Sequence, residues 1–206
     1  MEVTLEREEI LLQDRIKLDI KQIVKLFNHK ENLIFFEGTL DDFYNIEEEK
    51  VEFIDGGIIV LQSPASIEHE DIFGDLYSKM RLYASEKNLG RVLGSRVTIA
   101  LDKDHKFEPD ILFILKTNKG IFTEYEFLGV PDLVVEIISK TTRNYDLKIK
   151  REIYRMHKIK EIYFIDYIKK TTVIDILEKE GYKSVNLKED NFESKVLDGF
   201  KFYLTF

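Results

Sequence analysis

Cysteine is absent from the sequence, which excludes a disulfide framework, a thiolate metal site and a cysteine nucleophile. That absence suits a reducing compartment. Proline occurs three times and glycine ten times, and no Pro/Gly/Ser-rich linker, repeat or low-complexity tract interrupts the chain. At 206 residues, one domain with a substantial core is the expectation. No apolar run approaches the roughly 20 residues of a membrane span. The opening stretch MEVTLEREEILLQDRIKLDIKQ is too charged for a signal peptide. The expected location is the cytoplasm, with no membrane partner. Positive charge is also in deficit: the formal net charge is −8, which argues against a chain that coats nucleic acid. A nuclease is not excluded, because an acidic metal site adds negative charge and a basic groove can be local. Lys and Arg do gather in TTRNYDLKIKREIYRMHKIK, residues 141–160, a cluster that reads equally as a solvated helix face.

The pattern of apolar residues outlines an α/β chain. Within residues 1–30, Ile16, Ile20, Ile23, Val24 and Phe27 recur at helical spacing and predict an appended helix ahead of a domain spanning 31–206. VEFIDGGIIVLQ holds two apolar runs around Asp55-Gly56-Gly57, a hairpin signal. In the next segment Ile72, Leu76, Met80 and Tyr83 share one face of an amphipathic helix with Ser66 as its cap. RVLGSRVTIAL, DILFIL and DLVVEIIS read as three strands, followed by a helix from about Thr142–Tyr145 to His157. The apolar run EIYFID, a turn at YIKK and TTVIDILE come next, and the remainder supplies further strands. This order predicts a mixed α/β domain around a central sheet flanked by helices.

One residue does not fit its surroundings. Glu136 sits inside VPDLVVEIIS, an otherwise buried-looking strand, and an ionised carboxylate there costs several kcal/mol unless a partner charge or a metal compensates. Side chains alternate along a strand, so Asp132, Val134, Glu136 and Ile138 share a face. Asp110 opens the preceding run in EPDILFIL, and neighbouring strands would bring it and Glu136 to one hard cation such as Mg²⁺. A buried ion pair has the same appearance in sequence. On the following helix, 100° per residue places Asp146, Leu147, Lys150, Ile153, Tyr154 and His157 on one face, with Lys148, Arg151, Arg155 and Lys158 elsewhere. Lys150 is thereby directed inward. The alternative is an Asp146–Lys150 surface pair, worth a few tenths of a kcal/mol.

These segments, in this order, resemble the Uma-type restriction-endonuclease family within the PD-(D/E)XK nuclease superfamily. The resemblance runs from LDDFYNIEEEKVEFIDGGIIVLQSPASIEHEDIFGDL through EPDILFI, VPDLVVEIISKTTRNYDLKIKREIY and KEIYFIDYIKKTTVIDIL to LDGFKFYL, residues 39 to 206. It implies a restriction-endonuclease-like fold, with Asp110 and Glu136 as metal-binding acids. Where the superfamily usually has a strand lysine, this chain has Ile138. The family pattern instead has a lysine four residues after an Asp on the next helix, which Lys150 matches. Glu52 and His69 also fall on recurring family positions, Glu52 as a contributor to the metal site and His69 more simply as a core or interface histidine.

What the resemblance implies is hydrolysis of DNA phosphodiester bonds by an endonuclease. Asp110, Glu136 and the main-chain carbonyl of Ile137 would hold Mg²⁺ or Mn²⁺, and Lys150 would orient water or stabilise transition-state charge. Asp146 and Tyr154 would support those groups, and Arg143, Lys148 and Arg151 would meet the phosphate backbone. The resemblance also suggests a homodimer, in which two sites address two strands. Two other readings stand beside it: a nuclease-fold module that binds or assembles without cleaving, and a metal-binding structural protein.

Overall fold

The computed structural model of the protein describes residues 33–46, 50–61, 64–94, 96–187 and 192–203. The helix expected over residues 1–30 lies outside them. In chain order the first half contains β1 (Leu33–Glu37), α1 (Leu40–Tyr44), β2 (Lys50–Ile54), β3 (Gly57–Leu61), α2 (Ile67–Glu86), β4 (Gly90–Gly94), β5 (Thr98–Ala100) and β6 (His105–Phe107). Strands β7 (Ile111–Leu115), β8 (Ile121–Phe122), β9 (Glu126–Leu128) and β10 (Leu133–Ile137) follow. Helix α3 opens with a π-helical turn, Tyr145–Lys150, and continues as an α-helix, Arg151–Met156. The chain then forms β11 (Glu161–Asp166), β12 (Thr171–Glu178), β13 (Gly181–Leu187), β14 (Phe192–Glu193) and β15 (Lys201–Phe202).

Two mixed sheets result. One has six strands in the order β13-β12-β11-β10-β7-β4, the other seven in the order β1-β3-β2-β6-β5-β9-β8, and β14 pairs with β15. At the centre of the six-stranded sheet, β10 runs parallel to β11 and antiparallel to β7. Alternation along these strands divides the core. Ile111, Phe113, Leu133, Val135, Tyr163 and Ile165 pack with Leu76, Met80 and Ala84 of α2. On the opposite face Leu112, Val134, Ile138, Ile162 and Phe164 meet Ile149, Ile153 and Tyr154 of α3, and Ile54, Ile59, Ile99 and Phe107 of the second sheet. Each such fully buried aliphatic or aromatic side chain contributes roughly 1.5–3 kcal/mol through removal from water. Glu136 points into this second layer, between the sheets.

The local chemistry explains the element ends. Ile54 pairs with Gly57, leaving Asp55-Gly56 as a two-residue turn with φ of 48° and 82°, the primed geometry that matches strand twist and favours glycine. The Ser66 hydroxyl accepts from the His69 N–H at 3.2 Å and caps α2 as expected. RVLGSRVTIAL behaves differently from the expected single strand. It divides into β4 and β5, which belong to different sheets, and Arg96 adopts a positive φ of 78° between them. The short strands β6, β8 and β9 escaped the sequence pattern because two or three residues carry no readable period. Among the described residues no helix is long and apolar enough to cross a membrane.

The π turn alters the helix face that 100° spacing predicts. The Arg151 N–H reaches back to the Asp146 carbonyl, a five-residue span, widening the turn. Tyr145 and Ile149 become deeply buried beside Asp146 and Lys150, and Leu147, expected on the buried face, is partly buried at the core's edge.

Candidate active site

Val135 pairs with Ile111 across β10 and β7, so the next residues outward in this register are Glu136 and Asp110. Asp110, just beyond the start of β7, is anchored by the Ile137 N–H at 2.7 Å. Lys50 Nζ lies 3.4 Å from its Oδ1 and His69 Nε2 lies 3.5 Å from its Oδ2. Burial alone would push the Asp110 pKa up, but Lys50, His69 and the Ile137 N–H outweigh it and hold the carboxyl below its ordinary value. His69 gains in return: burial disfavours its charge, yet the hydrogen bond to Asp110 leaves its pKa raised.

Glu136 finds a partner in Lys150. Lys150 Nζ lies 3.0 Å from Glu136 Oε1, and Tyr154 donates its hydroxyl to the same oxygen at 2.6 Å. Lys150 also lies 2.6 Å from Glu52 Oε1 and 3.8 Å from Asp146 Oδ1. Glu52 is fully buried on β2 and accepts from the Tyr145 hydroxyl at 2.5 Å. Lys150 itself is 1% exposed, which removes the surface-pair reading. Burial opposes its charge, but Glu136, Glu52 and Asp146 raise its pKa well above the ordinary lysine value. Burial and the neighbouring carboxylates also raise the phenols of Tyr145 and Tyr154, so both remain donors.

The cluster carries a surplus of acid. Glu52, Asp110, Glu136 and Asp146 are all buried, opposed by Lys50, Lys150 and His69. Burial, together with Asp110 and Asp146, pushes Glu136 up to about 8 against the pull of Lys150. Burial likewise raises Asp146 to about 6, with Lys150 and Thr142 opposing. Glu108 adds another buried carboxyl whose pKa is raised, chiefly by burial. Asp110, Glu136 and Asp146 open onto a cleft of about 720 Å³ that Lys50, His69 and Lys150 also line. Hard carboxylate oxygens, the mutual repulsion of Glu136 with Asp110 and Asp146, and an open cleft fit a divalent cation.

The structure thus gathers Asp110, Glu136, Ile137, Lys150, Glu52, Asp146, Tyr154 and His69 in one place. The basic residues disperse. Lys148 is exposed, Arg143 pairs with Asp166 at the end of β11, and Arg151 is held bidentate on Asp175 at 2.7 Å with Ser184 beside it. Lys50 and Tyr145 were missed in the sequence. Lys50 was accessible, since it lies two residues from Glu52 and shares its strand face. Tyr145 was hidden by the π turn. Asp132, on the Glu136 face of the strand, instead bonds Lys160, Asn118 and the Leu115 N–H away from the cleft.

A crystal structure of a "putative nuclease belonging to DUF820" from Anabaena variabilis superposes with a TM-score of 0.61 at 18% identity, covering 77% of this chain and 90% of that one. It shares the restriction-endonuclease-like α/β fold. No curated protein matches the sequence. Residues 40–205 match the Uma2 family, described as "Putative restriction endonuclease", and over that length the chain belongs to the Uma2 family.

Proposed function

We propose that the protein is a metal-dependent endonuclease that hydrolyses DNA phosphodiester bonds. The observation carrying this reading is the buried Lys150, fixed between Glu52 and Glu136 beside a cleft that Asp110, Glu136 and Asp146 line together. Asp110 and Glu136 would hold Mg²⁺ or Mn²⁺, with the Ile137 carbonyl as a further ligand. The ion supplies Lewis-acid polarisation of a phosphoryl oxygen and acidifies water.

The chain's own residues then have separable tasks. Tyr154 and the Ile137 N–H fix the two acids in position. Lys150, held protonated, orients the attacking water or stabilises charge that develops on the phosphoryl group. Tyr145 and Asp146 hold Glu52 and Lys150 in place, and His69 and Lys50 hold Asp110. Lys148 and Arg143 meet the DNA backbone, whereas the twofold contact to Asp175 gives Arg151 a structural task. A homodimer would present two such clefts to two strands.

The same Lys150 contacts favour a second reading. They compensate Glu136 without any ion, as in a nuclease-fold module that binds or assembles without cleaving. Incubating the protein with supercoiled, linear and single-stranded DNA in EDTA, Mg²⁺ or Mn²⁺ separates the two. Cleavage that requires metal and disappears in Glu136→Gln supports the endonuclease. Metal-independent DNA binding without cleavage of any substrate supports the module.

A further inference from the structure

A second group of metal-ligating side chains lies outside the cleft. Asp102 follows β5, His105 opens β6 and His157 caps the end of α3. Their ligand atoms all lie within 4.8 Å of one another, and none of the three lines the acidic cleft. Asp102 Oδ2 is 2.9 Å from His105 Nδ1 and 2.8 Å from His157 Nε2. The imidazole rings meet edge to face with centroids 5.2 Å apart.

Hydrogen-bond bookkeeping points to what the group receives. His157 Nδ1 lies 2.9 Å from the Ile153 carbonyl, which only accepts, so the ring proton belongs on Nδ1. A neutral His157 therefore aims the Nε2 lone pair at Asp102. His105 turns Nδ1 to the same carboxylate, and its Nε2 is buried with no hydrogen-bond partner among the described residues, Asp55 Oδ1 lying at 3.8 Å. A neutral imidazole carries a single N–H. A neutral His157 therefore cannot hydrogen-bond both the Ile153 carbonyl and Asp102. One divalent ion takes the lone pairs of His157 Nε2 and His105 Nδ1 and the carboxylate together, which puts the His105 proton on Nε2, the nitrogen on the Asp55 side. The hydrogen bond from His157 Nδ1–H to a backbone carbonyl is also the outer contact that orients metal-bound histidines.

We propose that Asp102, His105 and His157 bind a first-row transition-metal ion of the Zn²⁺ class. Two imidazoles and one carboxylate without thiolate suit Zn²⁺, Co²⁺ or Ni²⁺ rather than Mg²⁺. Zinc bonds of about 2.0–2.1 Å set tetrahedral ligand atoms roughly 3.3 Å apart, so Asp102 must move outward by about half an ångström. Its side chain is 40% exposed and free to do so, and that exposure leaves coordination positions for solvent. The Asp104 N–H on Asp102 Oδ1 at 2.7 Å steadies the loop. The ion would clamp the end of α3, the helix bearing Lys150, to the β5–β6 turn of the other sheet.

The test uses the full chain, stripped with EDTA and dialysed into millimolar Mg²⁺. Zn²⁺ is titrated by calorimetry, Co²⁺ by visible absorption, and melting is followed with and without Zn²⁺. One equivalent should bind, with Co²⁺ bands of a four- or five-coordinate site and a raised melting temperature. His157→Gln and Asp102→Asn should each weaken Zn²⁺ on the order of a hundredfold while retaining the far-UV spectrum in EDTA, and Asp110→Asn should leave Zn²⁺ binding intact. Absence of stoichiometric binding overturns the proposal, as does binding that survives both ligand variants or that is lost in Asp110→Asn. The last outcome would assign the ion to the cleft.

Discussion

Replacing Lys150 by methionine separates an engaged, buried lysine from a surface partner of Asp146. The substitution preserves length and apolar volume but removes the ammonium that lies 2.6 Å from Glu52 and 3.0 Å from Glu136. Removing one member of a buried ion pair costs about 3–5 kcal/mol, because the remaining charge stays in a poor solvent. For a chain of this size each kcal/mol lowers Tm by roughly 2–4 °C, so the expected loss is about 6–20 °C without metal at pH 8. The loss should shrink as pH falls. With no countercharge, Glu136 and Asp146, already raised by burial, have folded-state pKa values still further above their unfolded values, so the folded state takes up protons that the unfolded state releases. Stability is therefore recovered below that window and lost as pH rises through it. Mn²⁺ should also recover part of the loss by supplying positive charge. In single-turnover cleavage the variant should be slower by on the order of a hundredfold, as for loss of a transition-state stabiliser. Urea unfolding and Tm of Lys150→Met, beside exposed Lys148→Met, provide the measurement. Equal changes of less than about 1 kcal/mol in both variants, the scale of a surface pair, would refute the burial argument.

Glu136→Gln keeps acceptors for Lys150 and Tyr154 while removing a charge whose pKa burial raises to about 8. Metal-free stability should be unchanged or higher at pH 8, and the fall in wild-type stability between about pH 5 and 8 should flatten, as read by Tm against pH. Asp110→Asn should remove most Mn²⁺ binding to the cleft in calorimetry, and unchanged affinity would remove Asp110 from the ligand set. Arg151→Met should lower stability by about 1.5–3 kcal/mol, the value of hydrogen bonds to a charged group, since Asp175 is fully buried. Its DNA affinity should match wild type, whereas Lys148→Met should weaken DNA binding without loss of stability.

Legibility from the sequence followed the length and regularity of each pattern. Glu136 stood out because a carboxylate in a Val/Ile-rich strand violates a costly rule, and Asp110 followed from its place one strand earlier. Helix α2 and the β2–β3 hairpin carried a cap, a period and a turn that all agreed. The seven-stranded sheet was harder, because β5, β6, β8 and β9 have two or three residues each. Their pairing is set by tertiary packing around Phe107 and Phe127 rather than by local period. The Asp102–His105–His157 group was invisible for a related reason: its members converge only when the end of α3 meets the β5–β6 turn.

Helix α3 also explains how Glu136 obtains a lysine when the strand offers none. The strand position on its own face two residues later is Ile138, which is 1% exposed and packed with Tyr145 and Ile149 in the layer between the sheets. A lysine there would have to thread its stem through that apolar layer, and Ile138 fills it instead. The cation arrives from the opposite wall. In a regular α-helix Tyr145 and Ile149 turn away from a face centred on Lys150. The π turn widens the spiral by one residue, so the pairs Tyr145–Asp146, Ile149–Lys150 and Ile153–Tyr154 all become buried. One member of each pair packs or donates, while Asp146 and Lys150 enter the charged cluster. Tyr145 and Tyr154 thus reach Glu52 and Glu136 from the two ends of a short segment, with Lys150 between them. Removing one residue between Asp146 and Lys150 would restore the α repeat and rotate Tyr145 and Asp146 relative to Lys150 and Tyr154. Such a deletion should abolish cleavage even though every charged residue of the cluster remains in the chain.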